Sequence, residues 1–136
     1  MRHAEFDVVL SLIIRTKESC DYISNIMSCK PTKEIKLKSK VFDSEEEDSN
    51  IWVLRERYEN CTELGIIIQK FINGIEDLAK KIEYIKKHGI CAIRISVISL
   101  YGQLGFSFTE KDLSLLSELQ IPLELSFFSY GNCIAE

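Results

Sequence analysis

Phe6, Val8, Leu10, Leu12 and Ile14 occupy alternate positions of the chain, while Asp7, Ser11 and Arg15 fall on the other side among Val9 and Ile13. A period of two predicts a half-buried strand over Phe6 to Arg15, because successive side chains of an extended backbone point to opposite faces. Ser19 is placed to cap the helix that follows, in which Tyr22, Ile23, Ile26 and Met27 recur at helical spacing until Lys30 and Pro31 stop it. Ile35, Leu37 and Val41 then alternate with Lys36, Lys38 and Lys40, which predicts an edge strand whose charges discourage pairing with another chain. An acidic loop, Asp43 to Asp48, comes next. From Ile51 to Tyr58 the alternation returns, with Trp52, Leu54 and Tyr58 on one side and Arg55 and Arg57 on the other below Ile51 and Val53.

Asn60 with Glu63 three residues on resembles a capping box, and Leu64, Ile67, Ile68, Phe71, Ile72 and Ile75 mark one helical stripe. The stripe continues in phase through Leu78, Ala79, Ile82 and Ile85, but Asn73-Gly74 is a natural break, so two helices are expected. Lys80, Lys81, Lys86, Lys87 and His88 gather before Gly89, which suits the negative pole of a helix and a glycine cap at its end. Ile93, Ile95 and Val97 alternate with Arg94 and Ser96 in a strand ending near Tyr101-Gly102. Thr109 with Asp112 opens a helix carrying Leu113, Leu116 and Leu119, and Pro122 begins a last strand with Leu123, Leu125 and Phe127 inward. Two stretches, Phe6 to Pro31 and Cys91 to Pro122, thus share one design: a strand, a short helix with an early Asp, and a Pro ten positions after that Asp.

Outward strand positions held by Asp7, Ser11, Arg94, Ser96, Glu124 and Ser126 imply a sheet with helices on one face and solvent or a partner on the other. The expected fold is α+β: a two-layer sandwich of ferredoxin-like type, with a mostly antiparallel sheet and helices on one face. With 136 residues, 46% apolar and 28% charged, the chain matches one compact domain, residues 1–136. A formal charge of −4 gives no general attraction for phosphate backbones, so no nucleic-acid partner is expected. Nor do the outward positions of Ile90 to Leu100 carry the aromatics on which RNA-binding sheets stack bases. The run from Phe6 to Ile14 is too short and too alternating for a membrane span or signal core, and the five cysteines are odd in number and irregularly spaced. Together these predict a soluble, cytoplasmic protein with reduced thiols and no membrane partner.

Chemistry-bearing constellations are sparse. His3 sits near the N-terminus and His88 in a lysine-rich helix end, neither placed as a general base. His88 and Cys91 would be half a zinc site, without a second Cys/His pair at ligand spacing. Cys20 and Cys29 lack C-x-x-C spacing, and the glycines form no phosphate-binding loop. No catalytic residue, metal or cofactor is therefore assigned, and the chain is not expected to be an enzyme. Asp7 and Glu124 are expected to pair with Arg94 or Arg55 across strands. Trp52, the sole tryptophan, reads as a large core group.

The layout resembles a mainly bacterial family, domain of unknown function 4279. Carrying the resemblance are the first strand, the short helix ending in Cys29-Lys30-Pro31-Thr32, Trp52 in Ile51-Trp52-Val53-Leu54, and the amphipathic middle. The ending Phe106 to Tyr130 adds Phe108-Thr109 before a Leu-rich helix and then Leu123-Glu124-Leu125. Relatives often carry a glycine between Pro31 and Trp52, where this chain has Lys36 to Lys40 followed by acid. The family brings no catalytic residues to carry over, and domains of this size are associated with immunity to secreted toxins. The acidic balance, the few catalytic residue types and the compact size point to a non-enzymatic binding protein, monomer or homodimer, and the association that comes with the resemblance would make it an immunity protein that blocks a toxin by direct contact. Its candidate contact residues are Asp43, Glu45, Glu46, Glu47 and Asp48 of the acidic loop and the outward Arg55, Arg57 and Arg94. Alternatively those three arginines would serve a small anionic ligand, bound or modestly hydrolysed, since guanidinium groups suit such ligands.

Overall fold

The first alternating run becomes the strand on which the others are built. In the computed structural model, which describes residues 5–36, 49–101 and 107–132, β1 (Phe6–Thr16) runs between β3 (Asn50–Cys61) and β4 (Gly89–Tyr101). It is antiparallel to both. A three-residue β2 (Lys33–Ile35) adds antiparallel to β3, and β5 (Leu123–Asn132) adds parallel to β4. Among the described residues the order is β2-β3-β1-β4-β5, a mixed five-stranded sheet, and with the four helices there the fold is α+β. Because β3 and β4 both oppose β1, they run parallel to each other, and parallel strands need a crossover connection. Helices α2 (Leu64–Asn73) and α3 (Leu78–Ile85) form that crossover, and α4 (Glu110–Ser117) forms the one between β4 and β5.

The pleat of β1 sorts residues into two faces. Phe6, Val8, Leu10, Leu12 and Ile14 are all buried and stand beside Ile93, Ile95 and Val97 of β4 and Trp52 of β3. Against this face pack Ile23 and Met27 of α1 (Cys20–Met27), Ile68 and Phe71 of α2, and Ile82 and Ile85 of α3. Each such side chain contributes about 1.5–3 kcal/mol on leaving water. Trp52 is fully buried, and its indole N–H donates to Ser24 Oγ at 3.0 Å, tying the sheet to α1. Ser19 caps α1 through a bond from Tyr22 N, and α2 and α3 part at Gly74. Among the described residues no helix is long and apolar enough to cross a membrane.

Four local expectations change. Asn60 does not cap α2, which has Glu63 at its N-cap; Asn60 takes a left-handed conformation (φ 53°) beside a register shift in β1, and its N–H donates to the Asp7 carboxylate. Gly89 is not a helix cap but the first residue of β4, where a β-carbon would collide with the carbonyl of Arg15. In α4 the buried residue is Asp112, while Leu113 points to solvent. Finally, register puts Leu123, Leu125 and Phe127 on the inward face, yet they remain 39%, 43% and 57% exposed; among the described residues α4 packs against α2 and β5 is the last strand of the sheet.

Asp112 anchors the contact between α4 and α2. Its carboxylate accepts from Thr109 N at 3.1 Å, closing a capping box, and from Gln69 Nε2 of α2 at 3.0 Å. Gly65 of α2 leaves the space it occupies, since a β-carbon there would meet the carboxylate.

Two outcomes are expected. Gly89→Ala should lower stability by about 1–3 kcal/mol, as overpacking does, read as a lower urea midpoint at unchanged slope; an unchanged midpoint would contradict the close approach of β1 and β4. The hydrogen bonds from Gln69 and Thr109 hold the Asp112 pKa below the ordinary carboxylate value. A depressed folded-state pKa contributes stability above the unfolded value and loses it as pH falls, so Asp112 should add a loss of stability that sets in below about pH 4. Acid unfolding of Asp112→Asn should lack that component, and an identical acid profile in both proteins would refute it.

Candidate functional site

Buried residues of α1, α2 and α3 share the core with the even-numbered side of β1, and the opposite side of the sheet is assembled from the outward positions of all five described strands. Register aligns them in rows. Ile35, Ile51, Arg15 and Ile90 form one row, and Lys33, Val53, Ile13 and Ala92 the next. Then come Arg55, Ser11, Arg94 and Glu124, followed by Arg57, Val9, Ser96 and Ser126, with Asp7, Ile98 and Phe128 at the end. The first two rows are mainly apolar and the next two carry most of the charge. Ile90 is 67% exposed and Phe128 56%, well beyond what a strand position facing a packed layer leaves.

The candidate arginines share this face but are largely engaged within it. Arg57 Nη2 lies 2.8 Å from Asp7 Oδ2, whose other oxygen accepts from Asn60 N, and Arg57 Nε is 3.6 Å from Glu59. Arg94 grips Glu124 through Nε at 2.9 Å and Nη2 at 2.8 Å. Arg55 donates instead to Ser11 Oγ at 3.4 Å and forms no ion pair among the described residues. Thus Glu124 pairs with Arg94 as the alternation suggested, whereas Asp7 takes Arg57. The acidic candidates Asp43, Glu45, Glu46, Glu47 and Asp48 lie outside the described residues.

Three cavities lined by described residues lie elsewhere, on the helix side and along α1, and Arg55, Arg57 and Arg94 line none of these three. Among the described residues no group of three or more His, Cys, Asp or Glu is arranged to hold a metal. His88 packs instead against the rings of Tyr22 and Tyr84, and Cys91 lies in the core. Burial pushes the Cys91 thiol up to about 11 and raises Cys20, Cys29 and Cys61 as well, so these thiols stay protonated at neutral pH and are poor nucleophiles.

Sequence reasoning placed the charges of the open face and passed over its apolar members, Ile35, Ile90 and Phe128. Their signal is present, since each is in phase with an outward neighbour: Ile90 with Arg94, Phe128 with Glu124. It also passed over Glu56, which is in phase with Trp52, Leu54 and Tyr58 and so faces the helix layer.

The two charge pairs should respond differently to truncation. Coupling between Arg94 and Glu124, both about half exposed, should not exceed about 1 kcal/mol in a double-mutant cycle and should shrink with added salt. Asp7→Ala should destabilise more than Arg57→Ala, by about 1 kcal/mol, because it also strips the acceptor from Asn60 N. Equal effects would show that this second bond contributes nothing. No protein family, curated protein or solved structure matches the chain.

Proposed function

We propose that this chain is a non-enzymatic protein-binding domain that works through the open face of its sheet, and that its partner is a bacterial toxin it neutralises by direct contact. One observation carries the reading. A helix-free face presents exposed Ile90 and Phe128 with half-buried Val9, Ile13, Ile51 and Ile98, beside guanidinium and carboxylate groups held at fixed separations. Apolar rows supply the area a partner would bury, and the ion-paired rows supply register and discrimination, the division of labour common at protein interfaces. A net charge of −4 would steer a basic partner toward the chain.

The resemblance to the domain of unknown function 4279 family, through Pro31 and Trp52, supports the same reading, and we place the protein in the cytoplasm as a monomer or homodimer as part of this proposal. We carry forward a ferredoxin-like two-layer arrangement with helices on one face. In support, three of the four strand pairings among the described residues are antiparallel and the buried apolar residues of β1 lie on one face, while the parallel β4–β5 pair departs from an all-antiparallel sheet.

Coexpression with the product of the adjacent gene tests this. Expected are growth arrest by that product alone, relief by this chain, and a copurifying complex that Ile90→Asp disrupts while the unfolding free energy from urea titration stays within about 0.5 kcal/mol of the parent, as for other surface changes. A complex that tolerates Ile90→Asp but dissociates when Glu45, Glu46, Glu47 and Asp48 are neutralised would move the contact to the acidic loop. Neither toxicity nor complex would overturn the reading.

A further inference from the structure

On the helix side, where β2 stops, the layer is open. Thr32 is the last point of attachment, its hydroxyl bonding both N and O of Arg55, and beyond it β3 carries Glu56 and Tyr58 along a sheet edge among the described residues. A cavity of about 400 Å³ lies here between β3, the end of α1 and the junction of α2 with α3. That volume falls within the range of small-molecule sites. Its apolar wall is Met27, Leu54, Phe71 and Ile75, and its polar groups are Glu56, Tyr58, Lys70, Glu76 and Lys81.

Glu56 is the anomaly. It occupies an inward register position, opposite buried Leu10, where the period-two pattern calls for an apolar side chain. Breaks of this kind concentrate at functional sites. Among the described residues the side chains of Glu56, Tyr58, Lys70 and Glu76 have no hydrogen bond or ion pair. Lys81 gives one N–H to Met27 O at 3.0 Å and retains two. Glu56 and Tyr58 stand two positions apart on β3 and so face the same side, where burial and the Glu56 charge both raise the Tyr58 pKa.

We propose that this cavity binds a small zwitterion with an apolar body, of the free amino acid or dipeptide class, its ammonium taken by Glu56 and Glu76 and its carboxylate by Lys70 and Lys81. Elimination leads there: a simple anion meets two carboxylates, a simple cation meets two ammonium groups, and an uncharged apolar ligand desolvates all four without pairing any. A molecule carrying both signs pairs them, and an aliphatic or aromatic side chain fits the wall of Met27, Leu54, Phe71 and Ile75. This site is on the opposite side of the sheet from the proposed protein-binding face and does not rest on that reading.

The test is an amide NMR titration of the full chain with L-leucine, L-phenylalanine, L-leucyl-L-phenylalanine and uncharged N-acetyl-L-leucinamide. Expected are saturable shifts at Met27 to Cys29, Glu56 to Tyr58 and Gly74 to Glu76 with at least one zwitterion and none with the amide. Glu56→Gln and Lys70→Met should each weaken that binding roughly tenfold with the remaining spectrum unchanged. Absence of saturable shifts at about 10 mM, above the millimolar ceiling of ordinary substrate affinities, would overturn the proposal. So would shifts mapping elsewhere, equal binding of the amide, or unchanged affinity in both variants.

Discussion

Everything in this fold is referred to the pleat of β1. It is hydrogen-bonded on both sides, and its even-numbered residues from Phe6 to Ile14 are buried under the helices while Asp7, Val9 and Ile13 face the open side. A slip of one residue would exchange these sets, exposing five large apolar side chains and burying Asp7, so the pairing is strongly specified. Fixing β1 fixes the faces of β3 and β4, and through them the rows of the open surface and the position of Glu56.

The helix layer is held by two polar contacts as well as by its apolar stripes. Trp52 to Ser24 joins sheet to α1, and Asp112 to Gln69 joins α4 to α2. Both lie at places where a purely apolar contact would leave orientation loose, and each is geometrically selective because a buried donor or acceptor must find its partner. The Asp112 contact sets α4 against α2, and on the inward side of β5 Leu123, Leu125 and Phe127 keep substantial exposure. The two ends of the sheet therefore differ: one is short and lysine-bearing at β2, the other long and apolar at β5.

Charge on the open face is paired only in part. Arg57 and Arg94 each hold a carboxylate and so present fixed dipoles, whereas Arg15, Lys33 and Arg55 on the same face form no ion pair among the described residues. Half-exposed pairs of this kind contribute little to stability, but they orient long side chains and so define a pattern that a partner must match. Glu56, Lys70 and Glu76, which pair with no other described residue, line the cavity on the other side of the sheet. The two candidate sites thus differ in shape, one a broad surface that carries two paired arginines and the other a concave site lined by charges of both signs.

The strand and helix identities were legible in the sequence because periods of two and near four are local properties of the chain. Ser19 and Thr109 as helix caps, the break at Gly74 and the burial of Trp52 followed from local chemistry in the same way. The outward placement of Arg55, Arg57 and Arg94 on one face was likewise readable from alternation. Less was decided locally at Asn60 and Gly89, where the governing contacts are to Asp7 and Arg15, more than fifty residues away. Only tertiary structure paired Asp7 with Arg57, set β5 parallel to β4, buried Asp112 while exposing Leu113, and gathered Glu56, Lys70 and Glu76 around one cavity. The reason is physical: periodicity says which side of an element a residue faces, whereas what it meets there depends on strand order and helix placement, which long-range packing selects.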